Sequence, residues 1–153
     1  MFQAIGGEIL AVTGAIIAFL VAGFGSTKGV GMAGHAGVGV LTEKPDLFGS
    51  VMVLEAIPTT QAIYGFVVAF MIMGKIGGEP LGVQNGFLLL FASLPIAIIG
   101  VFSALYQARI AVSGIHMLVK QPDSMGKTIT LALMAEMFAI IALIISILMI
   151  GKV

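Results

Sequence analysis

The chain has 153 residues, 59% hydrophobic and 9% charged, with a net charge of zero and a mean hydropathy of +1.19. A soluble domain carries about a quarter charged residues, so this composition specifies an integral membrane protein with no room for a soluble lobe. Zero cysteines excludes disulfides and thiolate metal sites, and the lack of a basic tract gives no footing for nucleic acid.

The opening MFQAIGGEIL lacks the positive segment of a signal peptide, so the first helix is expected to be retained. Uncharged runs follow at 9–27, 56–74 and 80–108, and a fourth apolar run at 128–151 holds a single charged residue, Glu136. About 20 apolar residues span the hydrocarbon core of a bilayer. The chain therefore reads as an all-α membrane protein with helices at 8–42, 46–74, 83–119 and 124–151. The first and third continue past the membrane through small apolar residues suited to packing against protein. The turns at 43–46, 77–80 and 120–123 are short, carry Pro, and join antiparallel neighbours.

The two halves repeat at an offset of 77 residues. Pro45-Asp46 aligns with Pro122-Asp123, Gly23 with Gly100, Ser26 with Ser103, Gly37 with Gly114, Ala62-Ile63 with Ala139-Ile140, and Gly74-Lys75 with Gly151-Lys152. This gives two fused helical hairpins, 1–76 and 77–153, parallel to each other because each crosses the membrane an even number of times. Glu136 falls opposite Thr59, so only the second hairpin carries a carboxylate at this position. Of the seven basic residues, Lys28, Lys44, Arg109, Lys120 and Lys127 lie towards the two Pro-Asp turns, and Lys75 and Lys152 towards the other side. The excess of basic residues puts the Pro-Asp turns in the cytoplasm and both termini outside.

A carboxylate in the middle of a membrane helix costs roughly 2.5–3.5 kcal/mol on insertion scales and by default marks a functional site. In helix two, Ile57, Thr60, Gln61 and Tyr64 fall within an arc of about 100°, and Pro58 frees nearby carbonyls such as that of Leu54. Helix three adds Gln107, with Ser103 one turn earlier on the same face. One carboxylate with amide and hydroxyl oxygens, and no sulfur or imidazole, is an inventory for a hard cation such as Na⁺. A bare buried Glu would instead hold a proton, and Thr60, Gln61 and Gln107 read alternatively as hydrogen bonds between helices.

Other polar residues read more blandly. Glu55 lies about 170° round helix two from the Thr60/Gln61 face and is expected at the interface or paired with a basic group. His35 and His116 read as structural, and Arg109 and Lys28 as interfacial or snorkelling. Gly29, Gly31 and Gly34 satisfy G-x-G-x-x-G, but a dinucleotide site needs that motif after a strand. Here it lies within a helix, where glycines 25, 29, 31, 34, 37 and 39 suit close helix contact and crowding into a narrow assembly.

The Gly-rich first helix, PTTQAIYG at 58–65, YQAR at 106–109 and AEMFA at 135–139 together resemble the proteolipid (c or K) component of V-type rotary ATPases, over essentially the whole chain. The Thr-Gln, Gln and Glu set is most similar to bacterial sodium-translocating rings. The resemblance implies identical copies forming a membrane ring, helices one and three inside and helices two and four facing lipid and stator. It also implies that Glu136 binds and releases the ion, Thr60, Gln61 and Gln107 are side-chain ligands, Ile57 offers its carbonyl, and Tyr64 closes the site. The partners implied are a stator subunit with a basic residue and a central stalk on the cytoplasmic loops. ATP chemistry resides in a separate soluble head, so the chain is not an enzyme on its own, and the location implied is a bacterial plasma membrane. A proton-carrying ring of the same fold and a small stand-alone transporter or channel are the competing readings.

Overall fold

The computed structural model describes residues 2–78 and 80–153; Met1, and Glu79 in the predicted turn at 77–80, lie outside the described residues. The elements are α1 (Phe2–Glu43), α2 (Phe48–Ala56), α3 (Thr60–Met73), α4 (Val83–Leu118) and α5 (Met125–Ile150). Short 3₁₀ turns at Pro45–Leu47 and Pro122–Ser124 lead into α2 and α5, and a third, Ile57–Thr59, joins α2 to α3. Among the described residues four helical stretches are long and apolar enough to cross a membrane, Gly6–Glu43, Pro45–Met73, Val83–Leu118 and Pro122–Ile150, and the protein is an all-α, multi-pass membrane protein. At 1.5 Å per residue the 42-residue α1 is about 63 Å long, roughly twice the hydrocarbon core, so it does continue well beyond the bilayer.

Two expectations change. The first helix begins at Phe2 rather than residue 8. It runs through Gly6-Gly7, where a Cβ on Gly7 would collide with the Leu81 carbonyl oxygen, so the glycine allows the close passage of the 81–82 connection. Helix two, predicted over 46–74 with its hydrogen-bond ladder disturbed at Pro58, divides there into α2 and α3 around the 3₁₀ turn Ile57–Thr59. Pro58 has no N–H and its ring crowds the preceding turn, whereas the equivalent stretch of α5 has no proline and runs unbroken. The repeat is otherwise visible in the backbone. Lys44 (φ −134°, ψ 71°) and Gln121 (φ −138°, ψ 78°) enter their Pro-Asp turns in nearly the same conformation.

The long helices α1 and α4 lie against each other through small residues. Ala11, Ala18 and Ala22 are fully buried on α1, and a Cβ on Gly14 or Gly25 would come within 2.9 Å of the Leu90 Cα or 2.7 Å of the Val101 Cα. Gly29 and Gly34 face Pro58 and Glu55 of the second stretch, as the close-contact reading of the glycines expects, but Gly31 and Gly39 meet nothing within 4 Å among the described residues. The outer segments α2, α3 and α5 pack on this pair and leave Phe66, Phe70, Phe102 and Phe138 exposed. Two apolar clusters result, one around Ala15, Val68, Leu89 and Ala142, the other around Ala33, Leu54, Ile115 and Leu118. Along each helix a short polar segment separates them.

A candidate ion-binding site around Glu136

The polar segment is centred on Glu136, which α5 carries at 4% exposure. Four side chains reach its carboxylate. The Thr60 hydroxyl donates to Oε2 at 2.8 Å, the Gln107 amide at 2.6 Å and the Gln61 amide at 3.3 Å, while the Tyr64 hydroxyl donates to Oε1 at 2.5 Å. Three come from α3 and one from α4. Hydrogen bonds to a charged acceptor are worth about twice neutral ones, and such a shell offsets the cost of burying the carboxylate. Glu136 is the one acidic side chain in these contacts, and among the described residues no three His, Cys, Asp or Glu gather.

The break in helix two places these groups. Thr60, Gln61 and Tyr64 lie on the first turns of α3, immediately after the Pro58 turn. Backbone N–H groups in a first turn lack partners in their own helix; that of Ala62 donates to Ser26 Oγ on α1 at 3.0 Å, which ties the start of α3 to the inner layer. The Ile57 carbonyl lies 3.4 Å from the Thr60 hydroxyl, at the edge of the cluster. Thr59, the other threonine of the PTTQ motif, is exposed and turns its hydroxyl back to the Ala56 carbonyl at 2.7 Å.

The two glutamines are fully buried. Gln61 Nε2 donates to Gln107 Oε1 at 2.9 Å and to Ser103 Oγ at 3.1 Å, and the Ser103 hydroxyl donates to the Ala135 carbonyl at 2.8 Å. Gln61 Oε1 is buried without a partner. A carbonyl oxygen in that state is costly. The side chains gathered at the site bring one carboxylate, two amide oxygens and a hydroxyl, with the backbone carbonyl of Ile57 at the edge. This donor set is all oxygen and suits a hard cation.

The residues singled out elsewhere stay outside the cluster. Glu55 is half-buried against Gly34 of α1, in a groove of about 420 Å³ that also contains His35. His35 and His116 are both exposed. Lys28 and Arg109 extend over the Phe24 and Tyr106 rings, at 5.6 Å and 5.1 Å from their centroids, cation–π placements that suit charged heads near an interface. Gly29, Gly31 and Gly34 lie inside α1, so the G-x-G-x-x-G spacing has no strand before it. Ser103 lies with Gln107 as its place on the same face of helix three implies, whereas sequence reasoning gave Ser26 no part; its alignment with Ser103 at the 77-residue offset was the available signal.

A four-helix membrane protein with one carboxylate wrapped by hydroxyls and amides belongs to a recognisable class. The family model for the C subunit of ATP synthase matches residues 4–72 and again 90–149, one match to each half, and the chain belongs to that family of membrane rotor subunits. It is 41% identical over 145 residues to the V-type sodium ATPase subunit K of Enterococcus hirae, covering 95% of this chain and 92% of that one. The A-type ATP synthase subunit K of Methanocaldococcus jannaschii is 37% identical over 129 residues, 80% of this chain and 55% of that protein. The rotor-proteolipid membership expected from the motifs holds.

Proposed function

We propose that this chain is the Na⁺-carrying rotor-ring subunit of a V-type ATPase, with one ion site per chain at Glu136. Identical copies form the ring, divided internally into the hairpins 1–76 and 77–153. Thr60, Gln61, Gln107 and the Ile57 carbonyl share the ion with Glu136, and Tyr64 holds the carboxylate in place. The observation that carries this reading is a single buried carboxylate in the membrane-spanning region, held by four donors from two other helices that all bring oxygen-bearing side chains. The name of the Enterococcus hirae relative supports the choice of ion.

The mechanism follows from the electrostatics of burial. A loaded site is neutral and crosses the lipid-facing arc of the ring, whereas an empty ionised site resists leaving polar surroundings. A stator subunit presents a basic side chain that displaces the ion from Glu136, and a second access path reloads the site. Hydrolysis of ATP in a soluble head, coupled through a central stalk on the Pro-Asp loops, drives the rotation, and the reverse direction supports synthesis. The loops face the cytoplasm and the termini the outside of a bacterial plasma membrane.

Carbodiimides modify protonated carboxyls in apolar surroundings, so labelling of Glu136 in the purified ring reports what occupies the site. Na⁺ in the millimolar range is expected to protect Glu136. In the acid range the concentration needed rises about tenfold for each unit by which pH falls, as required when one ion displaces one proton. Labelling that follows pH alone, with no effect of Na⁺, makes the ring a proton carrier and returns Thr60, Gln61 and Gln107 to the role of helix contacts.

A further inference from the structure

Within the chain, α1 lies on α4 through close pairs. A Cβ on Gly14 would meet the Leu90 backbone, one on Gly25 the Val101 backbone, and one on Gly29 the Ala108 Cβ at 3.2 Å. The two hairpins repeat at an offset of 77 residues. In a closed ring of identical copies, α4 of one copy then meets α1 of the next as α1 meets α4 within each. Moved through the offset, the three pairs become Phe91 with Thr13, Phe102 with Phe24, and Tyr106 with Gly31 of the next copy. All six residues are exposed in the single chain, as a contact completed by a second copy requires. At the last pair the sizes exchange. Gly29 against Ala108 becomes Tyr106 against Gly31, and a Cβ on Gly31 meets nothing within 4 Å among the described residues.

One helical turn further on, each side of this contact carries a charge. Arg109 follows Tyr106 by one turn and extends over its ring, 5.1 Å from the centroid. The α4–α5 grooves that reach Tyr106 and Ile110 have no acidic residue in their described lining. Gly34 follows Gly31 by one turn, and the Glu55 carboxylate lies over it, where a Cβ on Gly34 would come 2.7 Å from Oε1. Gly31, Gly34 and Glu55 border one groove, lined also by His35 but by no Lys or Arg of the described residues.

We infer that Glu55 of each copy pairs with Arg109 of the adjacent copy, across a contact of Tyr106 with Gly31 that repeats the chain's own α1–α4 packing. The inference rests on the ring reading above. Because the repeated hairpins are parallel, one turn beyond Tyr106 and Gly31 brings the guanidinium alongside Gly34 and the carboxylate. A guanidinium presents a planar fork that a carboxylate accepts at both oxygens, and its place over Tyr106 holds that fork ready. Glu55, half-buried within the span Pro45–Met73, thereby gains the basic partner that a carboxylate at such a place needs.

Two measurements on purified rings test this. The chain has no cysteine, so in Gly31→Cys/Tyr106→Cys the introduced thiols are the only ones. The equivalent in-chain positions approach to 3.2 Å, close to the Cβ separation of about 3.5–4.5 Å in a disulfide. Mild oxidation is expected to give a ladder of multiples of the 15.8 kDa protomer on a denaturing gel, removed by reductant and not given by either single variant. Second, Glu55→Gln and Arg109→Gln each leave a charge without its partner. Each is expected to lower the temperature at which native mass shows the ring falling to protomers, and the double variant to lose less than the two shifts added. Intact rings whose double-cysteine chains stay at the protomer mass overturn the contact and the pair. A ladder with additive shifts, or with no shift in either single variant, keeps the contact and overturns the pair. If the cysteines prevent assembly, additivity of the Gln variants decides alone. A wild-type chain with no ring mass overturns the ring reading and this inference with it.

Discussion

The adjacent threonines Thr59 and Thr60 allow a matched test of the site. Replacing Thr60 with Val keeps the β-branched shape and removes only the oxygen. That oxygen donates to Glu136 Oε2 at 2.8 Å and sits 3.4 Å from the Ile57 carbonyl, so Thr60→Val deletes one donor to a carboxylate and one oxygen of the cluster. A hydrogen bond to a charged group contributes about 1.5–3 kcal/mol. Thr60 is only half-buried and Glu136 keeps three other donors, which places the effect near the lower end, about 1.5–2 kcal/mol, or roughly tenfold to thirtyfold in affinity. Thr59→Val removes a hydroxyl that is exposed and bonded to its own helix at Ala56, and is expected to leave affinity unchanged. The assay is the Na⁺ concentration that half-protects Glu136 from carbodiimide in purified rings, with ring integrity checked by native mass. A large shift in Thr59→Val with none in Thr60→Val refutes the assignment of the site to the face of α3 that bears Thr60.

Three further outcomes are expected. Gln107→Leu removes the donor at 2.6 Å from Glu136 and the acceptor at 2.9 Å from Gln61 Nε2; two lost partners in a fully buried place weaken Na⁺ protection by about 100-fold or more, and a shift smaller than that of Thr60→Val contradicts the geometry. Tyr64→Phe removes the one hydroxyl on Glu136 Oε1, and washout of radioactive Na⁺ from the ring is expected to be about tenfold faster; unchanged release assigns the hydroxyl no part in closing the site. Gly65→Ala would place a Cβ 2.5 Å from the Ala18 carbonyl oxygen and 2.8 Å from the Ala22 Cβ. Pushing α3 off α1 costs about 1–3 kcal/mol. It is read as a lower melting temperature in detergent, against no loss in Gly49→Ala, where nothing lies within 4 Å.

Much of the site could be read in advance because the membrane makes polar residues conspicuous. Glu136 interrupts an otherwise uncharged run, and the helical period alone puts Ile57, Thr60, Gln61 and Tyr64 on one face. Their convergence with Gln107 needs only that antiparallel helices pack side by side. The 3₁₀ turn at Ile57–Thr59 was implied by Pro58, but its length and its effect on Ala62 depend on Ser26 reaching across from another helix. The direction in which each amide points was not legible at all. For Gln61 it depends on acceptors from two other helices, Ser103 Oγ and Gln107 Oε1 on α4 and Glu136 Oε2 on α5, a relation between three helices that no local pattern encodes. The first turns of α1, from Phe2, fell outside the predicted 8–42, and the contact that explains Gly7 there comes from residues 81–82.

The mismatch of Thr59 with Glu136 between the two halves bears on gearing. In a ring built from this chain, four helices advance for every ion moved, where a ring of hairpins each bearing a carboxylate would move two. For a rotor of a given circumference, a full turn then delivers half as many ions for the same number of ATP molecules. The free energy of hydrolysis is divided over fewer ions, so each can be driven against a steeper gradient. A second Glu at position 59 would reverse that trade, with more ions per turn and a lower limiting gradient.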